Sequence, residues 1–217
     1  MWTIVPLVFT QQRSNPFLFA VGNNYLCVCI AQVAWTLSFS MEIIWASFIF
    51  ILLIAVFLWR IVWMLADTNS AYKGSLANYI LWRLPFTIHA GWITAASFVN
   101  ANVYLVDLGV DSKLQFYAAL VTLFCILVIA SLTTIGLDLV IPVVLSWALF
   151  GIFAQLRDPQ ESIQETFTEN QIDNATWGAL SFALLTAVGS VVGMLRQCCQ
   201  KRPTVGASEA DSYVRAA

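Results

Sequence analysis

Between Leu81 and Asn102 the chain reads LWRLPFTIHAGWITAASFVNAN, an apolar stretch that also holds the only histidine, a proline, two tryptophans and two asparagines. Polar groups at membrane depth are costly unless they meet partners or a cavity, so by default they mark function. Pro85, His89, Trp92, Ala96 and Asn100 are spaced four, three, four and four apart, which puts them on one face of a helix. Proline inside a helix leaves the carbonyl one turn back without its donor and bends the axis, so Pro85 is expected to open space beside His89. An imidazole there has two uses. It can hydrogen-bond a neighbouring helix, or it can act as donor or axial ligand to a flat hydrophobic molecule. No other metal site is expected, since one histidine cannot build a multi-histidine centre.

Catalysis is not expected. There is no nucleophile elbow, phosphate loop or CxxC pair, and no basic stripe of the kind that binds nucleic acid. A triad on His89 needs a buried Asp. Asp138, the one candidate near a span, reads as a cap at a helix start. Tryptophans near span ends (Trp35, Trp45, Trp59, Trp63, Trp82 and Trp177) read mostly as interfacial belt residues. Trp92 and Trp147 fall inside spans, where a buried indole N–H needs a partner, and so are candidates for a pocket.

The elements that position these residues are membrane helices. Of 217 residues 60% are hydrophobic and 10% charged, against roughly a quarter charged in a soluble domain. Six runs approach the ~20 apolar residues that cross a bilayer: Phe17–Phe39, Ile43–Leu65, Leu76–Leu105, Gln115–Ile135, Leu137–Leu156 and Trp177–Leu195. The expected fold is all-α, a polytopic bundle over residues 1–196, with Met1–Thr10 as a truncated first helix and 197–217 as a disordered tail. No cleavable signal peptide is expected; the first span serves as the insertion signal. The links Ser40–Glu42 and near Gly136 are too short for anything but antiparallel hairpins.

Lys and Arg divide eight to two between alternate loops, which places the C-terminus on the cytoplasmic-equivalent side of a mitochondrial, plastid or endoplasmic reticulum membrane. In the fifth loop, Asp158-Pro159-Gln160-Glu161 has the form of a helix start, with Ile163 and Phe167 one turn apart on a short surface helix. Asn174-Ala175-Thr176 is a glycosylation sequon set against the next span. Gly189 and Gly193 form a GxxxG that suits close helix packing, within the bundle or in a homodimer. Cys198 and Cys199, beside Lys201-Arg202, are a candidate for palmitoylation at the membrane surface. The five cysteines show no metal or disulfide spacing.

Trp92-x3-Ala96-x3-Asn100, preceded by Pro85-Phe86, resembles the fourth helix of the translocator protein / tryptophan-rich sensory protein family. Gln32-Val-Ala-Trp35-Thr-Leu-Ser-Phe39 is similar to that family's second helix, and Met1-Trp2-Thr3-Ile4 to the interior of its first. Asp138 with Ser146-Trp147-Ala148 and Gly151-Ile152 resembles a longer branch with extra helices, here over 137–196 beyond a core of 1–135. The resemblance implies an integral membrane protein that binds or moves a flat apolar ligand. Porphyrin or heme, a chlorophyll-type pigment and a sterol all fit that description. Trp35, Phe39, Pro85, Phe86, His89, Trp92, Ala96, Asn100 and Trp147 would then line the pocket. Within that set His89, beside the bend, is expected to face the ligand, and Asn100 to hold two helices together. The alternatives are an accessory subunit, structural or pigment-binding, of a larger membrane assembly, and a secondary transporter. The expected partners are lipids, a hydrophobic small molecule and other membrane subunits.

Overall fold

A computed structural model describes residues 16–68, 79–136 and 138–200. Met1–Thr10, most of the tail and five of the basic residues behind the charge division (Arg13, Lys73, Lys201, Arg202 and Arg215) lie outside the described residues. So do the side chains of Trp82 and Cys198.

Among the described residues seven α-helices follow one another: α1 (Pro16–Ser40), α2 (Ile44–Thr68), α3 (Leu84–Asp107), α4 (Ser112–Ile135), α5 (Val140–Arg157), α6 (Glu161–Thr166) and α7 (Glu169–Gln200). A π-helical turn, Tyr79–Arg83, leads into α3, and no strand occurs among the described residues. The protein is an all-helical membrane bundle. Within the described residues α2, α4, α5 and α7 are each long and apolar enough to cross a bilayer. α3 is as long, at 24 residues, and α1 runs over 25 residues with a kink at Gly22, where the backbone is not helical. What separates α3 from the other four is its polar content: Thr94, Asn100 and Asn102 bond neighbouring helices, while Thr87 and Ser97 bond carbonyls one turn back.

Chain order sets the packing. α1 lies on α2, α2 on α3, and α3 on α5, while α4 is held among α3, α5 and α7. The α1–α2 link is the expected tight hairpin, closed by Ile43 N–H to Ser38 O at 2.8 Å, with Glu42 in the left-handed region at φ 59°. On α2, Ile51, Ile54, Leu58, Ile61 and Leu65 are fully buried at alternating three- and four-residue steps, the a/d pattern of a helix seam. Leu52, Leu53, Val56 and Trp63 on the other faces stay exposed, as side chains do when their solvent is lipid. α7 buries a stripe of small residues instead, Ala175, Ala179, Ala183 and Ser190. Ser146 Oγ on α5 donates across to the Ala183 carbonyl at 2.9 Å.

Three expectations change at helix ends. Pro85 sits in the first turn of α3, where a missing N–H costs nothing, so it marks the π-to-α junction rather than a bend within a helix. The short surface helix starts at Glu161 with Gln160 as its N-cap, so Asp158 and Pro159 belong to the preceding link. α7 starts at Glu169 rather than Trp177. Thr168 and Gln171 form a reciprocal capping box, with Thr168 N–H to Gln171 Oε1 at 3.0 Å and Gln171 N–H to Thr168 Oγ1 at 3.4 Å. The sequon Asn174-Ala175-Thr176 therefore lies inside a helix, with Thr176 buried and its hydroxyl donating to Ile172 O.

Candidate functional site

The α3–α5 crossing builds the site. At Gly91 a Cβ would sit 3.0 Å from Val144 Cβ and 3.4 Å from the Ile141 carbonyl oxygen, so glycine suits this approach and a larger residue would press on α5. One residue beyond Gly91 is Trp92, and one turn beyond Val144 is Trp147. Their rings meet with centroids 5.2 Å apart, inclined at 39°. From α1, Trp35 stacks on Phe39 at 5.5 Å and 23°.

These four aromatics, with Ala96 and Asn100, line one cavity of about 430 Å³ between α1, α2, α3 and α5. Trp92 and Trp147 remain 46% and 64% exposed, so they form its outer edge toward the surroundings of the bundle. Trp35 is half-buried, and its indole Nε1 is buried without a hydrogen-bond partner among the described residues. An unpaired buried donor of this kind is costly. The remaining wall is apolar: Ile51, Ala95, Ala148 and Ile152 are among it.

The structure thus gathers six of the residues singled out from sequence, and leaves Pro85, Phe86 and His89 outside that cavity. Pro85 and His89 share a helix face with Trp92 and Phe86 points elsewhere, but the cavity begins at Trp92 and runs toward Val103, while Pro85 to His89 lie up to two turns before it. Phe86 is buried in the core with its ring edge-on to Tyr25 at 5.4 Å. Pro85 is exposed, and His89 is half-buried with no hydrogen bond to the described residues. Asn100 belongs to both roles. It is 4% exposed, its Oδ1 accepts from Ser47 Oγ on α2 at 3.2 Å, and it also stands in the cavity wall.

Other polar groups of α3 are bonded to its neighbours. Thr94 Oγ1 accepts from Trp59 Nε1 at 3.0 Å, which makes Trp59 a packing residue rather than a belt residue. Trp45, Trp63 and Trp177 are exposed. Asn102 Nδ2 donates to Thr122 Oγ1 on α4 at 2.7 Å. At the far end Asp138 accepts from the amides of Val140 and Ile141 at 3.1 and 3.3 Å, the capping role its position suggests. Its other oxygen pairs with Arg83 at 3.1 Å, a bond between residues 55 apart that spacing alone does not reveal. The GxxxG divides. A Cβ on Gly193 would meet Leu139 and Thr134 at 2.9 Å within the bundle, whereas Gly189 has nothing within 4 Å. Cys199 is exposed.

Against this geometry, the TSPO-like protein family is matched over residues 1–192. The chain belongs to the TSPO-like protein family. The match runs past the 1–135 core into α5 and α7, so in this TSPO-like chain the later helices belong to the family pattern too. No curated protein and no solved structure matches the chain. Sequence reading missed Gly91, whose signal was the small-residue spacing Gly91-x3-Ala95 beside the Trp92 motif.

Proposed function

We propose that this TSPO-like membrane protein binds, and releases or passes on, a flat hydrophobic molecule of the tetrapyrrole or sterol type. The observation that carries the reading is the single cavity edged by three indoles, Trp35, Trp92 and Trp147. Indoles offer broad rigid faces for stacking at low entropy cost. Trp92 and Trp147 are the exposed members of the wall, so the ligand enters sideways from lipid rather than from water. Nothing in the wall needs to take or give a proton, so the role is binding rather than catalysis. The eight-to-two division of Lys and Arg places the α7 C-terminus on the cytoplasmic-equivalent side.

The test is titration of protoporphyrin and of a fluorescent sterol into the detergent-solubilised protein, followed by indole quenching. Trp92→Ala should weaken binding at least about tenfold, the size expected from one lost stacking partner and its apolar area. Trp63→Ala, at a 66% exposed indole outside the cavity wall, should leave it unchanged. Equal losses at equal bundle stability would remove the cavity from the reading.

A further inference from the structure

Resting on that reading, we propose that the ligand is a ring that carries a long hydrocarbon tail through a polar linkage, with the tail lying in a second chamber next to the first. The second chamber, about 360 Å³, is a half-open groove among α3, α4, α5 and α7, with Ile163 and Phe167 of the α6 segment also in its wall. The two chambers share four wall residues, Val99 and Val103 on α3 and Ile152 and Gln155 on α5. The two therefore adjoin along the surface of the bundle, so a molecule seated against Trp92 can extend past Val103 into the second.

The chemistry of the second wall selects hydrocarbon. Its polar residues are already engaged: Asn102 donates to Thr122 at 2.7 Å, Gln115 Nε2 donates to the Val110 carbonyl at 2.7 Å, and Gln171 accepts from Thr168 at 3.0 Å. With each of those residues already bonded to the protein, what the wall mostly offers an occupant is carbon, from side chains such as Val106, Phe116 and Ala119. Gln155 is the exception, since its amide makes no hydrogen bond to the described residues. It stands where the chambers meet, the position that the ester or amide joining ring to tail would occupy. A bare ring fills only the first chamber, and a lipid without a ring leaves the indoles unused.

The experiment compares the methyl and phytyl esters of one metal-free chlorin, titrated into the full chain in nanodiscs by chlorin fluorescence. Ala119→Trp puts an indole into the second chamber. It should weaken the phytyl ester about tenfold, as overpacking of ~1–3 kcal/mol predicts, and leave the methyl ester unchanged. Val106→Trp, at a wall position 58% exposed and thus tolerant of bulk, repeats the test should Ala119→Trp fail to fold. A photoreactive diazirine at the end of the phytyl chain should label peptides from α4, α6 or α7. Should both esters bind the wild type equally and neither variant discriminate between them, or should the label fall on α1 and α2, the tail chamber is refuted while the ring site stands. If neither ester binds the wild type, the ring site and the tail chamber fall together.

Discussion

Replacing Gly91 by alanine tests whether the α3–α5 contact sets the site. The new Cβ would lie 3.0 Å from Val144 Cβ and 3.1 Å from its Cγ1, against about 3.5–4.0 Å for relaxed carbon contacts, so Val144, and α5 with it, must give by a few tenths of an ångström. Overpacking of this kind costs about 1–3 kcal/mol. Helix propensity opposes it, because alanine is favoured over glycine by about 1 kcal/mol in a helix interior. The net expectation is a loss of about 0–2 kcal/mol. Gly189→Ala is the control. It carries the same propensity gain, and its Cβ would meet nothing within 4 Å. The difference between the two variants therefore isolates the clash, about 1–3 kcal/mol in favour of Gly189→Ala. Reversible unfolding in mixed micelles measures the stabilities, and porphyrin titration measures the second consequence. Retreat of α5 widens the 5.2 Å spacing of Trp92 and Trp147, so affinity should fall in Gly91→Ala and hold in Gly189→Ala. A Gly91→Ala protein as stable as Gly189→Ala, with wild-type affinity, would refute the claim that this contact shapes the cavity.

Asp138→Ala removes both the Arg83 pair and the acceptor for two α5 amides, whereas Asp138→Asn keeps an acceptor, so alanine should cost about 1 kcal/mol more in the same unfolding assay. Equal losses would mean that the cap contributes nothing. Asn100→Leu should lower stability by about 0.6–2 kcal/mol through the lost Ser47 bond and also change ligand affinity, while His89→Phe should leave affinity unchanged. The reverse pattern would return ligand contact to His89. Single cysteines at Gln164 and Arg196, in a background lacking the native ones, should react with an impermeant thiol reagent from opposite sides of sealed vesicles, because α7 lies between them. Labelling of both from one side would overturn the topology.

What was legible in the sequence depends on the range of the physics involved. Hydrophobic runs must bury or meet lipid wherever they fall, so the helical bundle was readable at once. The seam from Ile51 to Leu65 follows from its own three- and four-residue steps. Asp138 could be read as a cap because capping reaches only two or three residues along the chain. Helix faces were also legible: Trp92, Ala96 and Asn100 share one, and they share a cavity. A face, however, says nothing about height. His89 lies on the same side as Asn100, about 16 Å along the axis, and only the placement of α1 and α5 decides which part of α3 they cover. That placement is set by residues whose effect is purely spatial. Gly91 matters because Val144 arrives against it, and Asp138 binds Arg83 because the π turn brings Tyr79–Arg83 to the α4–α5 link. Such contacts join residues about fifty apart, and at that separation neither helical periodicity nor capping chemistry carries any signal, so they exist only once the helices have packed.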